Sequence, residues 1–578
     1  MIFFSVFLLI ILQSLAVSNM ESNIKEIEVL QTDNIETDFS EKQLIKPDTI
    51  VGVGSGSYRT NVPPPAFENE DMSTPPSMIW KTDNLKGPIP TNDWISSILF
   101  TEYSETLYAH PLSYKAVSSG MEVSFPHNSG GGQFHHSTEF IIGGSDFEPT
   151  EARLDKASDW FADIVMIDGT DLMKATIGHG SPYAYFEMTS GNVVFNFVDD
   201  ITIYHNSDDH VGLTTARGNN YGLFAPTGSV WSGVNTGTNQ ISISLSSDFF
   251  SIVGLPDGNI DTLELFSKYA YNFVSDTKVN WEYDGLGSLI TSYEVTTTPM
   301  QGTTTDTILL LYPHQWRESV DVSFLEYNYF TVRGLMKSVI GTSYQTSFTY
   351  SGVLPMLPSN DNMDMKHLNA LLEEGIANLD LSGPIDTYWG GKEVGRLTQL
   401  LPIAEQVGNN GALNIILNAL KGELQRWLTA DGQEDFYYDS NWGTLIGYPA
   451  SYGSNGFLND HHFHYGYWVQ AAAAVALRDP EWASEDQWGG MINLLIRDYA
   501  SPSRNDAMFP FLRNYDIYEG HSWASGNAMN PGGNNQESSS EAINSHAALI
   551  LWGELTGNDT IRDLGISVSY THLRAHET

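Results

Sequence analysis

The 578-residue chain contains no cysteine. That excludes disulfides, thiolate metal sites and a cysteine nucleophile, and it leaves the compartment open, because an exported protein with large cores needs no disulfides. Positive charge is scarce too: 27 Lys and Arg stand against 70 Asp and Glu, a net of −43. That field repels phosphate backbones and anionic membranes, so no nucleic-acid partner is expected; solubility is the plain reading of the charge. Beyond the N-terminus no run is long and apolar enough to span a membrane. The start, residues 1–18, has an apolar stretch too short for a comfortable span and ends in Ala16-Val17-Ser18, a small-x-small cleavage pattern. We read it as a secretory signal, one that lacks the usual basic n-region, and expect a secreted protein.

What the chain has is apolar residues, 41%, enough for several large cores at this length. Residues 19–50 are polar and acidic, a linker. From 51 to 290, short strands are punctuated by turns. Asn192–Val198 and Gln240–Leu245 approach period two, and Ser129-Gly130-Gly131-Gly132 and Thr189-Ser190-Gly191 break the runs, so a large β-sandwich is expected. Residues 291–365 are mixed, with Thr307–Tyr312 as a buried strand, and read as a small α/β connecting domain. From 366 to 567 the period becomes 3.6. Leu368, Leu371, Leu372, Ile376 and Leu379 make one helical face; Val394, Leu397, Leu400, Leu401 and Ala404 a second; Leu413, Ile416, Leu420, Leu424 and Trp427 a third. Recurrent helices with loops rich in Gly, Asn and aromatics fit stacked helical hairpins around a cleft. Residues 568–578 read as a translated sequencing adapter, excluded from fold reasoning.

Two polar segments carry the chemistry: Asn459–Tyr467 and Asn534–Ala542, whose acids Asp460 and Glu537 lie 77 positions apart. Such density of polar side chains is costly to bury, so a cleft is the better reading than a core. Paired carboxylates in an aromatic cleft suit glycosidic-bond cleavage. Asp460 is either a helix N-cap or an acid whose carboxyl pKa must be raised against the helix dipole by burial or by a neighbouring carboxylate. Glu537 and Glu541, four apart, repel if both are helical, and either line a solvated face or bind a polar ligand. His461, His462 and His464 lack the spacing of helical zinc proteases, so no metal and no cofactor is expected; His464 reads as a hydrogen-bonding partner of substrate or carboxylate. Nearby aromatics, including Trp442, Tyr452, Tyr465 and Trp523, are either sugar platforms or core.

These segments resemble glycoside hydrolase family 81, the endo-β-1,3-glucanases. The likeness rests on Asp460–Tyr467, His521-Ser522-Trp523-Ala524-Ser525-Gly526 and Gln536–Ala542. Tyr437–Gly443, Pro88-Ile89-Pro90-Thr91-Asn92 with Trp94, and Tyr108-Ala109-His110-Pro111 add to it, so it covers nearly all of residues 80–566. It implies a multidomain α+β fold: an N-terminal β-sandwich, a small α/β connector and a C-terminal (α/α)6 barrel. It implies inverting hydrolysis of internal linkages in β-1,3-glucan, with Asp460 as general acid and Glu537 as general base. It further implies that His464, Glu541 and Lys392 bind substrate, together with Trp442, Tyr465, His521, Trp523 and Asn535. We expect a monomer. Family members continue for several helices past Gln536–Ala542, so the barrel is expected to be incomplete here and the chain as given unstable or inactive. The competing expectations are a silent glucan-binding protein with the same cleft, a hydrolase of another β-glucan linkage, and a metalloenzyme built on His461–His464.

Overall fold

The computed structural model describes residues 49–60, 74–128, 134–356, 358, 362–379, 381, 386–430 and 434–576. The expected signal, the linker as far as residue 48 and the glycine turn at 129–132 lie outside the described residues.

Two antiparallel sheets form the N-terminal region. One has eight strands in the order Thr202–Asn206, His210–Thr214, Asn220–Phe224, Phe249–Leu255, Tyr183–Met188, Asp171–Gly178, Phe161–Asp168 and Glu151–Ala157. The other has seven and includes Val193–Phe197, Phe140–Gly144 and Gly120–Ser124. Period-two patterning places the side chains. In Gln240–Ser244, Ile241 and Ile243 are buried while Gln240 and Ser244 are exposed, and the strand pairs with Val193–Phe197 as Val193↔Ile243. The inward faces share one core, with Met121, Phe140, Ile142 and Phe195 from one sheet meeting Leu154, Ile164, Phe186 and Ile252 from the other. Phe195 meets Phe250 edge-on across the layers, centroids 5.9 Å apart.

A long hairpin, Asn272–Tyr283 with Ser288–Pro299, crosses the expected boundary at 290 and pairs with Ser343–Thr349. Thr307–Leu311 is buried along its whole length, as its uninterrupted apolar run predicts, and pairs with Gly334–Gly341.

The C-terminal region is helical. Its seven longer helices among the described residues are α1 (Met365–Ala377), α2 (Thr387–Gln406), α3 (Asn410–Trp427), α4 (His461–Ala476), α5 (Gly490–Ala500), α6 (Ser539–Thr556) and α7 (Asp559–His576). Helix α4 lies between α2 and α6; α3 backs α2, α5 backs α4, and α7 backs α6. Starts are set by capping side chains: Asp386 accepts from the N–H groups of Tyr388 and Trp389, and Asn409 from that of Ala412. The expected faces of α2 and α3 are inward, with Val394, Leu397, Leu401, Ile416, Leu420 and Trp427 fully buried. On α1 only Leu372 of the expected face is buried, and Leu371 points to solvent.

The expected boundary at residue 51 leaves 49 and 50 in the linker and assigns 51–60 to the sandwich. The hydrogen bonds of this segment run elsewhere. The hairpin Thr49–Val53/Gly56–Thr60 joins Asp435–Asp439 and Thr444–Tyr448 in a four-stranded sheet inside the helical region, Gly56–Thr60 running parallel to Asp435–Asp439.

Buried charges bind sandwich, connector and helical region together. His179 Nε2 of the sandwich meets Asp516 Oδ2 at 2.9 Å, and Arg333 of the connector meets Glu519 at 2.7 Å. Tyr312 donates to Glu519 at 2.7 Å. Fully desolvated charges persist only when paired in this way.

Candidate active site

Asp460 stands immediately before α4 in the left-handed region, φ 63°, and its side chain makes no capping bond. A helix N-cap has extended backbone angles, so the carboxyl is turned away from the helix end rather than folded over it. The main chain holds it in place: Asp460 N–H donates to Ala524 O at 2.9 Å, and its carbonyl accepts from Phe463 and His464. The carboxyl is buried, and Oδ1 has no partner among the described residues. Burial first, then the nearby charges of Glu537 and Glu541, push the Asp460 carboxyl up to about 8. Near neutrality it carries a proton, as a general acid must.

Glu537 is also left-handed, φ 61°, and is exposed. Helix α6 begins after it, with Ser538 as N-cap accepting from Glu541 N–H. The i,i+4 helical repulsion expected from sequence therefore does not arise, because Glu537 is outside the helix. Asn535 donates Nδ2 to Glu537 Oε2 at 3.3 Å. Glu541 has a third environment. Its Oε1 accepts from Lys392 Nζ at 2.8 Å and Tyr467 OH at 2.7 Å. Burial raises its pKa, but the Lys392 charge and the bonds from Lys392, Tyr467 and Ser538 outweigh it and hold the carboxyl below its usual range. Lys392 lies over Tyr388 and Tyr467, 4.9 and 5.2 Å from the ring centres.

His464 is fully buried, its Nδ1 2.8 Å from Thr387 Oγ1. Burial and then His461 push its pKa down to about 3, so the ring is neutral. His461 spends both nitrogens, on Asp498 at 2.6 Å and on Ser454 O at 2.8 Å. His462 is buried with neither nitrogen bonded among the described residues. These three histidines do not form a metal-ligating group among the described residues.

Trp442 and Tyr465 require correction. Trp442 is fully buried in the sandwich core, stacked on Phe100 at 4.5 Å, its indole N–H donated to Pro76 O. Tyr465 is fully buried and donates to Leu445 O at 2.6 Å. Neither presents a ring to a polymer. The exposed faces are Trp389, Tyr452 and Phe457. Tyr388 packs against Trp389 and Tyr452, centroids 5.5 and 5.2 Å away, and so links them to Lys392. Trp389 and Phe457 were not among the predicted site residues. The available signal was position: Trp389 lies three residues before Lys392, and Phe457 three before Asp460.

His521 and Trp523 line a cavity of about 160 Å³ with Trp94, Tyr108, Arg333 and Gln536, where sandwich, connector and helical region meet. Trp523 Nε1 donates to Asp516. Gln536, which lines this cavity, immediately precedes Glu537 in the chain. The segment Trp523–Gly526 also spaces the two carboxylate loops. Ala524 O takes the Asp460 N–H, Ala524 N–H goes to Asn535 O at 2.8 Å, and Gly526 N–H goes to Asn459 Oδ1 at 2.9 Å. Asn92 of the sandwich fixes the assembly from outside, donating N–H to Gly526 O and Nδ2 to Leu458 O. Only glycine fits at 526: a Cβ there would lie 1.8 Å from Phe457 O.

A family model described as the glycosyl hydrolase family 81 C-terminal domain matches residues 362–575. A glucan endo-1,3-beta-D-glucosidase of Acetivibrio thermocellus is 50% identical over 510 residues, 87% of this chain and 66% of that protein. Another, from Thermobifida fusca, is 41% identical over 542 residues, 91% of this chain and 71% of that protein. The chain belongs to glycoside hydrolase family 81. A solved family 81 structure from Clostridium thermocellum, a glutamate-to-alanine mutant, superposes with a TM-score of 0.87 at 48% identity, covering 91% of this chain and 74% of that one. The β-rich N-terminal region followed by a helical region is therefore the family 81 fold. Among the described residues no helix is long and apolar enough to cross a membrane.

Proposed function

We propose that this chain hydrolyses internal β-1,3-glucosidic bonds of laminarin-type glucan, with inversion. Asp460 is the general acid and Glu537 the general base, and the seven longer helices described belong to an (α/α)6-type barrel whose cleft holds both. The observation that carries the reading is the contrast between the two carboxyls. Asp460 is buried, and burial with nearby negative charge pushes its carboxyl up to about 8, whereas Glu537 is exposed to the solvent that supplies the attacking water. In the forward step the Asp460 proton passes to the glycosidic oxygen as the C1–O bond breaks. Glu537 takes a proton from the water that attacks C1 on the opposite face, and the product is the inverted anomer. Lys392 and Tyr467 hold Glu541 as an anion, a fixed acceptor for a sugar hydroxyl or for the attacking water. Trp389, Tyr452 and Phe457 offer ring faces to the apolar C–H faces of glucose units, and the cavity beside Gln536 continues the run of sites. We read the protein as a secreted monomer.

The test is reducing-sugar release from laminarin, beside cellulose and barley glucan, by a parent extended at its C-terminus to the length of its relatives and by its Asp460→Asn and Glu537→Gln variants, with the 578-residue chain alongside. Proton NMR of the first product gives the anomer. Loss in both variants with an α product upholds the reading. Turnover that survives Asp460→Asn assigns the acid elsewhere, and activity confined to another glucan removes the substrate.

A further inference from the structure

On the outer edge of the eight-stranded sheet, away from the carboxylates, two histidines and a glutamate converge. His205 lies on the edge strand Thr202–Asn206, just past a register shift against His210–Thr214 that falls between Ile203 and His205. Such bulges re-aim side chains at sheet edges. His210 begins the neighbouring strand, and Glu264 comes from the helix Ile260–Ser267, which the buried side chains of Leu263 and Phe266 fix in place. Glu264 Oε1 is 3.4 Å from His210 Nε2 and 3.8 Å from His205 Nε2, and the three atoms lie within 4.8 Å of one another.

Both Nε2 atoms are buried without a hydrogen bond among the described residues, and His210 is only 7% exposed. A buried ring nitrogen without a partner is costly unless something fills the place. The far side of His210 is already committed: Nδ1 is 2.8 Å from Asp209 Oδ1 and 3.0 Å from Ser207 Oγ. A proton on Nδ1 shared with a carboxylate leaves the Nε2 lone pair free to bind, as in carboxylate–histidine–metal arrangements.

We propose that His205, His210 and Glu264 form a site for a divalent cation of the zinc class, with two imidazole nitrogens, one carboxylate oxygen and a fourth position for water. Bonds of about 2.0–2.2 Å in a tetrahedron put ligand atoms roughly 3.3–3.5 Å apart; the 3.4 and 3.8 Å separations are close to that, and the two imidazoles, stacked with centroids 4.8 Å apart, turn toward each other to face one ion. Imidazole donors favour Zn²⁺ over Mg²⁺ or Ca²⁺, which take all-oxygen shells. The bound ion would tie the edge hairpin to the helix that crosses it, a structural role independent of the glucanase reading.

The experiment uses the full chain, stripped with a chelator and desalted, titrated with ZnCl₂ against a chromophoric chelator, with melting followed in parallel. One equivalent of Zn²⁺ and a raised Tm are expected, with no effect of Mg²⁺ at the same concentration. His205→Gln and Glu264→Gln lose the equivalent, and Asp209→Asn weakens it about 10–100-fold. The Glu264 side chain is half exposed, so its variant folds and keeps the test decisive. No stoichiometric uptake by the parent, or an equivalent retained in both ligand variants, overturns the proposal.

Discussion

The backbone N–H of Asp460 donates to the carbonyl of Ala524 at 2.9 Å, and the N–H of Ala524 donates in turn to Asn535, two residues before Glu537. One alanine peptide thus fixes the separation of the two carboxylates through main-chain bonds that no side-chain substitution at either acid removes.

Gly526→Ala tests that spacing. A Cβ 1.8 Å from Phe457 O must push the Asp460 loop away from the segment. Displacements near 1 Å at a reacting centre cost about 100-fold in rate. We expect a fall in kcat of that order on laminarin with the fold retained by circular dichroism; an unchanged kcat would show that the spacing is not set here.

The pH profile follows from Asp460. An acid catalyst must be protonated, so kcat/KM falls as pH rises through about 8. Stability moves the same way. The unfolded carboxyl titrates near 3.9, so between there and about 8 the folded state binds more protons than the unfolded, and stability declines as pH rises through that window. Asp460→Asn removes this cost while tolerating the left-handed backbone. Its Tm should match the parent near pH 4 and exceed it at pH 8 by the equivalent of about 1 kcal/mol or more. A variant less stable than the parent at pH 8 contradicts the buried, protonated carboxyl.

Lys392→Met separates charge from fold. Over a third of the Lys392 side chain is in water, so its loss should cost on the order of 1 kcal/mol or less in stability. Glu541 would lose the cation that holds it ionised, and its pKa would rise. We expect at least a tenfold drop in kcat, steepest at acid pH where Glu541 would now protonate. A uniform drop across pH would assign Lys392 to direct substrate contact instead.

The two tryptophans should part company. Trp389→Ala removes an exposed face and should raise KM several-fold at nearly constant Tm. Trp442→Ala opens a cavity in the sandwich core and should cost about 3–5 kcal/mol. Calorimetry beside laminarin kinetics distinguishes them, and a KM effect from Trp442→Ala in still-folded protein would return it to the cleft.

The sequence carried the strand-then-helix succession, because period two and period 3.6 are local properties of the chain. Polar density beside apolar helices also marked the segments that hold Asp460 and Glu537, and the structure brings these carboxyls close enough for the charge of one to act on the other. Trp442 could not be separated from Trp389 that way: each is a tryptophan in a polar stretch, and only the packing of Phe100 and Pro76 around one of them decides. The left-handed backbone at Asp460 and Glu537 was equally hidden, because propensity favours Gly or Asn there and the loop overrides it. The pairing of Lys392 with Glu541 spans 149 positions, and no local pattern encodes a contact that distant.

The parallel strand Gly56–Thr60 has a practical consequence for dissecting the molecule. The sandwich and connector are spliced into the helical unit, whose first strand precedes them in the chain. Ser57 bonds to Leu428 and Ala430, Arg59 reaches Asp435, and Gly56 sits where a methyl would strike Leu428 O and Met491. Scissors placed at residue 362 would release a fragment with an unzipped sheet margin at Tyr437 and Tyr438 and without the Arg59 partner of Asp435. Such a margin invites self-association, so the boundaries of a sequence family need not be the boundaries of a body that folds alone.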